Sequence, residues 1–355
     1  MKILKQASRV VRARVGLPRL VYAHYGVTHR CNMRCKMCVV WHQGDKSTEL
    51  TTSQAALLAE NLHQAGVMTV ALGGGEPFIR TDLPELVHAF AKRGMEVRVL
   101  TNGIGIREGR IREVIEAGLA HVSISLDSLD PVVEREVYND VEVWQDIVSS
   151  MRRFRAWLPP SSVPVINVCV ARNNLMELPA LVDFAASEGF HCSFVPIALS
   201  PSEAQSDGFA AVAPELAIPA DMAADVRSVY EDLLRRKRAG HPIANSSQFL
   251  KDSRDFLLGQ SCSWTCDAGR LYVSVSPEGD ISICHGFAPI ARFDTPNLAA
   301  LLRSPEVAGT ARRQRQECDG CMRPCWAEVS HATHSIRAAM EAVSTLHGSS
   351  SPKGI

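Results

Sequence analysis

The sequence has no net charge, because 38 lysines and arginines balance 38 aspartates and glutamates over 355 residues. A chain without an excess of positive charge has no long-range field to attract a polyanion, so we expect no nucleic-acid partner. It also lacks an apolar run near the ~20 residues that a membrane-spanning helix needs. The basic segment 1–19 has neither a continuous apolar stretch nor a small-residue cleavage site, which argues against a secretory signal.

The eleven cysteines are an odd number, which argues against a complete disulfide framework. Together with the lack of a secretory signal, this indicates a reducing compartment, and we expect a cytoplasmic protein. Three cysteines lie at 31–38, two are isolated, and six lie in the last hundred residues. Clustered thiols in a reducing compartment are usually metal ligands. The isolated Cys169, in an apolar run, and Cys192 are instead predicted to pack in the interior.

Apolar runs alternate with helical patterns between residues 20 and 200. The runs predict six strands, at 20–27, 67–72, 96–101, 121–126, 163–170 and 191–196. The patterns between them predict five helices, at 53–65, 83–93, 107–117, 143–158 and 175–188. This alternation indicates right-handed βαβ units and a parallel sheet. Six units rather than eight predict an α/β fold with a partial (βα)6 TIM-like barrel, whose chemistry gathers at the carboxyl ends of the strands.

The loop after the first predicted strand, THRCNMRCKMCVVW, holds three cysteines: Cys31, Cys35 and Cys38. Thiolates are soft metal ligands. A closed structural zinc site needs a fourth protein ligand, which His29 or His42 could supply. A cubane iron–sulfur cluster bound by three cysteines instead leaves one iron open to another ligand. From these residues alone, both kinds of metal site remain open.

The spacing C-x3-C-x2-C resembles the cluster motif of the radical S-adenosylmethionine (radical SAM) superfamily, although Met37 stands where that family usually has an aromatic residue. Short motifs at the ends of the next predicted strands resemble those of the family and occur in its order. They are GGGEP at 73–77, TNG at 101–103, SISLDS at 123–128 and VARNN at 170–174. Each motif is weak alone, but the ordered set carries the resemblance over about residues 20–196.

The resemblance implies a [4Fe–4S] cluster on Cys31, Cys35 and Cys38, with SAM at the open iron. Reductive cleavage of SAM would give a 5′-deoxyadenosyl radical that abstracts hydrogen from a substrate, with an electron donor such as flavodoxin or ferredoxin. Glu76 would place negative charge near the SAM ammonium, and Arg172 would pair with the SAM carboxylate. The residues implied to bind SAM are Met37, Gly74, Gly75, Glu76, Pro77, Thr101, Asn102, Ser125, Asp127 and Arg172.

The composition changes after residue 200. Residues 199–222 are rich in proline, alanine and serine without a period, which predicts a long loop of the kind that serves as a lid or binding segment. Helices are predicted at 221–239 and 248–257. The basic run at 235–238 is interpreted as a solvated helix end, because no aromatic residues interleave with it.

The region 260–330 holds the remaining cysteines around a hairpin pattern: LYVSV, the turn SPEGD and then ISIC. Such a hairpin would bring Cys266 and Cys284 together. The region resembles the SPASM and twitch extensions of radical SAM enzymes, which hold auxiliary iron–sulfur clusters. Because it lacks the full SPASM cysteine set, the resemblance implies one auxiliary [4Fe–4S] cluster, and a structural zinc knuckle is the alternative. Its ligands would be Cys266, Cys284 and two of Cys318, Cys321 and Cys325, with Cys262 a ligand or a spare.

The predicted organisation has five parts: a basic amphipathic segment (1–19), the partial barrel (20–200), a linker of loop and helices (201–259), the auxiliary cluster domain (260–330), and a C-terminal helix and tail (331–355). Segment 1–19 could lie on a membrane surface. Packing against the open end of the sheet or the second domain is the favoured interpretation.

The substrate class stays open at this point. Peptide maturases of the SPASM type often carry a fused leader-binding domain, which the 19 residues before the predicted barrel cannot form. We therefore expect a small-molecule or lipid substrate, with net oxidation or bond formation assisted by the auxiliary cluster. The alternative is maturation of a ribosomal peptide or protein with a separate leader-binding partner. A non-catalytic zinc or iron scaffold is a third interpretation, against which the intact SAM motifs speak. The sequence does not identify the substrate, the carbon that loses hydrogen, the fate of SAM or the oligomeric state.

Overall fold

The computed structural model describes residues 20–43, 48–198, 213–260, 264–318 and 320–346. These residues form a mixed sheet of nine strands in the order β6-β5-β4-β3-β2-β1-β7-β8-β9. The strands are β1 (Tyr22–Thr28), β2 (Thr69–Gly74), β3 (Glu96–Thr101), β4 (Leu119–Ser125), β5 (Val165–Val170), β6 (His191–Pro196), β7 (Tyr272–Val275), β8 (Asp280–Ser282) and β9 (Ala291–Arg292).

Helices connect the strands and cover the sheet. They are α1 (Thr52–Ala65), α2 (Leu83–Ala91), α3 (Glu108–Glu116), α4 (Pro131–Val137), α5 (Trp144–Trp157), α6 (Leu178–Glu188), α7 (Ala223–Arg238), α8 (Ser247–Leu257), α9 (Leu298–Leu301), α10 (Pro305–Gln316), α11 (Pro324–His334) and α12 (Ile336–Leu346). Short 3-10 helices lie at Val40–Gln43, Pro77–Ile79, Leu175–Glu177, Pro214–Leu216 and Ala220–Met222. None of the helices in the described ranges is long and apolar enough to cross a bilayer.

The six strands predicted for the barrel are all present, with ends shifted by at most two residues, and β1 to β6 pair in parallel. The five helices predicted between them are also present. Over the described residues the sheet is open, since it ends at β6 on one side and β9 on the other. The predicted partial barrel is confirmed.

Helix α1 illustrates how local sequence sets these elements. The Thr51 side chain accepts a hydrogen bond from the Gln54 backbone N–H, and the Gln54 side chain accepts one from the Thr51 N–H, which forms a capping box. The helix ends at Gly66, whose φ of 106° is unfavourable for residues with a side chain. Its apolar face, with Leu58 and Leu62, is fully buried in the main core.

The C-terminal hairpin joins the barrel sheet directly. Strand β7 pairs in parallel with β1, with Tyr22 opposite Tyr272 and Tyr25 opposite Val275, and β8 and β9 continue antiparallel. Trp326 of α11 stacks on Tyr272 at 4.5 Å between ring centroids and meets Tyr22 edge-on at 5.7 Å. The predicted boundary at residue 260 therefore does not separate two independent sheets.

Several predictions fall wholly or partly outside the described residues. Segment 1–19 and Cys262 lie outside them, as do 199–212 of the predicted long loop and 347–355 of the predicted tail. The rest of that loop contains two short 3-10 helices. The C-terminal helix is instead two helices, α11 and α12, which meet at Ser335.

Candidate functional site

The loop with three cysteines leaves the carboxyl end of β1 and packs against the GGGEP loop after β2. The Gly75 N–H donates to the Thr28 carbonyl at 2.7 Å, and the Glu76 N–H donates to the Arg30 carbonyl at 2.9 Å. A Cβ on Gly75 would lie 2.1 Å from the Arg30 carbonyl oxygen. Only glycine permits this contact, so Gly75 fixes the distance between the two loops.

The three thiols are half-buried, and burial disfavours their charged form. It raises the pKa of Cys31 to about 11 and the pKa of Cys35 well above the usual range. The Met33 N–H donates to the Cys31 Sγ at 3.4 Å, and the Asn102 Nδ2 lies 3.9 Å from it. Desolvated thiols suit a bound metal, because coordination itself favours the thiolate. These residues therefore fit an iron–sulfur cluster.

Glu76 ties the GGGEP loop to the TNG motif. Its side chain is 1% exposed. One carboxylate oxygen accepts hydrogen bonds from the Thr101 hydroxyl at 2.8 Å and the Phe78 N–H at 3.0 Å, and the other accepts one from the Asn102 N–H at 2.8 Å. Burial raises its pKa to about 7, although these hydrogen bonds act in the opposite direction. Both oxygens thus already have protein donors, which the sequence did not predict.

Asn102 extends this network to the cysteine loop. Its Nδ2 donates to the Asn32 side chain at 2.7 Å, and its Oδ1 accepts from the Ile104 N–H at 2.9 Å. The predicted residues Gly75, Glu76 and Asn102 are therefore hydrogen-bonded into one unit with the cysteine loop. Gly74 and Pro77 lie in the same loop, at the end of β2 and the start of the next turn.

Asp127 lies after β4 and is 1% exposed. Its Oδ1 accepts from the Cys169 N–H at 2.6 Å, and its Oδ2 has no hydrogen-bond partner among the residues that the structure describes. Burial raises its pKa to about 7. The sequence missed Glu134, which accepts from the Asp127 and Ser128 N–H groups, and Asn174, which donates to the Asp127 and Cys169 carbonyls.

The other predicted SAM residues have simpler surroundings. Ser125 is half-buried at the end of β4, opposite Asn167 of β5. Met37 and Cys169 pack against one small apolar cluster that includes Ala171, which agrees with an apolar role for both side chains. Arg172 is exposed, and its backbone N–H donates to the Leu216 carbonyl at 3.0 Å.

A cavity of about 520 Å³ lies between the carboxyl ends of β1 and β2 and the C-terminal hairpin. His24, His29, Gly74, Ser274 and His285 are among the residues that line it. The Ser274 hydroxyl lies 2.6 Å from the His285 Nδ1, and the His24 and His285 rings meet edge-to-face at 4.6 Å between centroids. The cavity thus has hydrogen-bonding walls, and it borders both the GGGEP loop and the C-terminal cysteine region.

Burial favours the neutral form of two cavity histidines, His24 and His285. Burial, with a further contribution from Arg323, lowers the pKa of His24 to about 4. Burial also lowers the pKa of His285 well below its usual range. A neutral imidazole has one donor and one acceptor nitrogen, so these rings can orient a polar group without adding charge. The sequence analysis missed His24 and Ser274; the available signal was the alternation that puts His24, Gly26 and Thr28 on one face of β1.

The C-terminal cysteines converge around the hairpin. Cys266, Cys284, Cys321 and Cys325 are half-buried and pack against one apolar cluster, whereas Cys318 is exposed. The Cys266 Sγ lies 3.1 Å from the Tyr272 hydroxyl. Burial raises the pKa of Cys321 and of Cys325 to about 12. Four desolvated thiols match the ligand number of a cubane iron–sulfur cluster.

A single-ion site is a separate question from a cluster. Within the ranges that the structure describes, no three histidine, cysteine or acidic side chains converge closely enough to hold one metal ion. The three cysteines after β1 and the four packed cysteines of the C-terminal region can still act as thiolate ligands of a cluster.

Comparison with known proteins identifies the N-terminal half. The family model described as the radical SAM superfamily matches residues 25–185, which include the three-cysteine loop and the strand ends described above. The chain contains a radical SAM domain. The cofactors of such a domain are a [4Fe–4S] cluster and SAM, so residues 25–185 form the radical SAM domain of an enzyme that continues in a C-terminal extension.

Two curated relatives match different shares of this chain. A probable GTP 3′,8-cyclase of Sulfolobus acidocaldarius is 34% identical over 165 residues, which are 45% of this chain and half of that protein. The PqqA peptide cyclase of Rhodopseudomonas palustris is 25% identical over 322 residues, which are 86% of this chain and 80% of that protein. The second similarity therefore extends well beyond residues 25–185.

A solved structure shows the same fold. SuiB of Streptococcus suis, in its complex with the precursor peptide SuiA, superposes with a TM-score of 0.64 at 16% identity. The superposition covers 87% of this chain and 71% of SuiB. The barrel and its C-terminal extension thus form an arrangement that SuiB shares.

Proposed function

We propose that this radical SAM enzyme modifies a peptide by hydrogen abstraction, with net oxidation or formation of a new bond. The observation that carries the proposal is the similarity to the PqqA peptide cyclase over 86% of this chain. SuiB, whose structure was solved with a precursor peptide, adds support through its fold. These comparisons favour the peptide alternative over the small-molecule or lipid substrate expected from the sequence.

In this proposal, Cys31, Cys35 and Cys38 hold the [4Fe–4S] cluster. With this cluster and SAM bound, the site would supply a 5′-deoxyadenosyl radical for hydrogen abstraction from a substrate carbon. The chain's own task is to fix the position of SAM. The contact of Gly75 with the Arg30 carbonyl and the bonds from Thr101 and Asn102 to Glu76 make a rigid support for it. A support with few alternative conformations lowers the cost of ordering SAM.

Glu76 would act on SAM as a nearby negative charge. Its oxygens already accept three protein hydrogen bonds, so its main contribution is electrostatic and conformational. Ser125, Asp127, Met37 and the exposed Arg172 remain proposed SAM contacts from the strand ends and the cysteine loop.

The cavity beside His24 is the proposed position of the reacting peptide residue. Its volume of about 520 Å³ falls within the range of ligand pockets. The neutral His24 and the Ser274–His285 pair would orient the peptide by hydrogen bonds, and the hairpin would exclude water from the reacting carbon. Cys266, Cys284, Cys321 and Cys325 would hold the auxiliary cluster beside that hairpin.

The test is an anaerobic reaction with SAM, a chemical reductant and the short peptides encoded next to the gene. We expect 5′-deoxyadenosine by chromatography, and a peptide that has lost two hydrogen atoms by mass spectrometry. The Cys31→Ala/Cys35→Ala/Cys38→Ala variant should form neither product. His24→Ala should still cleave SAM but lose most of the peptide product, because it removes a cavity wall and leaves the SAM loops in place. A zinc-loaded protein that leaves SAM intact would refute the radical reaction, and turnover of a small molecule instead of peptides would refute the peptide substrate.

A further inference from the structure

A second concave surface lies on the side of the molecule where β1 begins. This groove, of about 220 Å³, runs between the end of α1, the start of β1, and helices α9 and α10. Small apolar residues, such as Ala65, Ala299 and Ala311, form its floor. Its rim is basic, and we call it the arginine groove after the four residues Arg270, Arg303, Arg312 and Arg315.

The charge of the arginine groove is largely uncompensated. Arg303 and Arg312 are exposed, and neither pairs with a carboxylate in the described part of the chain. Arg315 donates to the Ala268 carbonyl, a neutral acceptor, at 2.5 Å. Of the four, Arg270 makes an ion pair, with Asp267 at 2.8 Å. A concave site with three uncompensated positive charges favours an acidic partner.

The floor of the arginine groove is also the outer wall of the auxiliary cysteine cluster. Gly269 lines the groove, and a Cβ placed on it would lie 3.1 Å from the Ala311 side chain and 2.7 Å from the Ile283 side chain. Ala311 and Ile283 belong to the apolar cluster against which Cys266 and Cys284 pack. The groove and these cysteines thus contact the same apolar cluster.

The groove also connects to the cysteines along the chain. Helix α10, which carries Arg312 and Arg315, ends at Gln316, two residues before Cys318. Arg315 anchors this helix to the Ala268 carbonyl, two residues after Cys266. A partner seated on α10 would therefore lie close to the segment that carries Cys266.

Segment 1–19 does not suit the groove as an occupant. It contains six lysines and arginines and no acidic residue, and it is followed by Leu20, which lines the groove. Like charges would repel each other there. A membrane surface fits less well than an acidic protein, because none of the large apolar side chains exposed in the described ranges lines this groove.

We propose that an acidic one-electron carrier protein of the flavodoxin or ferredoxin class docks in the arginine groove and exchanges single electrons with the auxiliary cluster. Each exchange oxidises one partner by one electron and reduces the other by one, and no bond is made or broken. The proposal rests on the proposed function only in that the C-terminal cysteines hold a redox-active cluster.

The experiment measures binding of a fluorescently labelled flavodoxin to the anaerobic holoenzyme at low and high salt. We expect R303E/R312E to weaken binding at least ~10-fold at low salt and to remove most of the salt dependence. The matched control is R238E/K251E, which makes the same charge change at exposed positions of α7 and α8, away from the groove. It should bind flavodoxin within about twofold of wild type. Melting temperatures of both variants check that they are folded.

A second measurement tests the path of the electron. The Cys31→Ala/Cys35→Ala/Cys38→Ala variant should retain the auxiliary cluster alone, and flavodoxin should reoxidise it after reduction with dithionite. Adding R303E/R312E should slow this reoxidation at least ~10-fold at low salt. Unchanged flavodoxin binding by R303E/R312E, or an equal loss in the control, would overturn the proposal. The proposal would also be overturned if R303E/R312E lost binding to phosphatidylglycerol vesicles but kept its affinity for flavodoxin. No arm uses a peptide, so a wrong peptide assignment would leave this result unaffected.

Discussion

Glu76 is a buried carboxylate whose local hydrogen bonds do not offset its desolvation. Three protein donors contact its two oxygens, yet burial still raises its pKa to about 7. SAM brings a positive charge to this region, and positive charge favours the ionised carboxylate. Binding of SAM and ionisation of Glu76 should therefore be coupled.

The first prediction concerns this coupling. Glu76→Gln should weaken SAM binding about 10- to 150-fold, because it removes the charge and turns an amide N–H₂ toward the Asn102 N–H or the Thr101 hydroxyl. In wild type, SAM affinity should fall as pH drops below about 7, since the neutral carboxyl must then lose its proton for the favourable charge to form. Isothermal titration calorimetry across pH 5.5 to 7 measures both effects. Release of one proton can change the SAM affinity by at most ~10-fold per pH unit.

Glu85→Gln serves as the matched control for this prediction, because Glu85 is exposed on α2. It should leave SAM affinity and its pH dependence unchanged. A Glu76→Gln enzyme with wild-type affinity, or a wild-type affinity that does not change with pH, would reject the charge interaction that we assign to Glu76.

The residues that could be predicted from the sequence are those with local signals. Cys31, Cys35 and Cys38 have a fixed spacing, and Glu76 lies in a short motif at a strand end. Glu134 could not be predicted, because its role depends on backbone N–H groups that only the fold brings to it. The Ser274–His285 contact likewise depends on the pairing of β7 with β8.

At the scale of elements, the hairpin followed from its alternation and its turn, but its position did not. Strand β7 pairs with β1, which lies at the other end of the barrel sequence, and no local pattern encodes this pairing. Trp326 reinforces it by stacking on Tyr272. Pairing between distant segments depends on the packing of the complete fold, so the sequence predicted the hairpin as part of a separate domain.

The turn of this hairpin leads to the second prediction. Gly279 has a φ of +87°, and a Cβ there would lie 2.5 Å from Phe293 and 2.9 Å from Leu50. Gly279→Ala should cost ~1–2 kcal/mol for the left-handed backbone and a further ~1–3 kcal/mol for the overlap. Melting temperature measures the stability loss, and iron content shows whether the auxiliary site is disturbed.

Gly94 offers a matched position for comparison. Its φ is +80°, but a Cβ there would have no neighbour within 4 Å. Gly94→Ala should therefore cost only the backbone term of ~1–2 kcal/mol and leave the iron content unchanged. Equal stability losses at the two glycines would show that the overlap of a methyl group with Phe293 and Leu50 adds nothing to the cost of Gly279→Ala.

At the scale of the whole molecule, one continuous sheet connects the two cysteine sites. The three-cysteine loop follows β1, and the C-terminal cysteines surround the β7–β8 hairpin that pairs with β1. The cavity lies between these two regions. In this arrangement, a substrate in the cavity would lie near both cysteine sites. Because segments distant in the sequence line the cavity, the local motifs alone could not define the substrate.

The last prediction counts the iron atoms in the molecule. The Cys31→Ala/Cys35→Ala/Cys38→Ala variant should retain ~4 irons per chain, because the four packed cysteines of the C-terminal region match the ligands of one cubane cluster. Removing Cys266, Cys284, Cys321 or Cys325 in that variant should abolish this iron. Cys318→Ala should retain it, because Cys318 is exposed and outside the packed set. Iron analysis and electron paramagnetic resonance of the reduced protein measure these outcomes.

Each alternative gives a different count. About eight irons would require a second cluster with ligands other than cysteine. His285 would then be the first residue to test, since it follows Cys284 and its Nδ1 lies 2.6 Å from the Ser274 hydroxyl. One zinc and no iron would establish the zinc knuckle. In an otherwise wild-type enzyme, loss of the auxiliary cluster should spare SAM cleavage and stop peptide modification, because the proposed role of these cysteines begins after hydrogen abstraction. Full peptide turnover without that cluster would show that these cysteines have only a structural role beside β1.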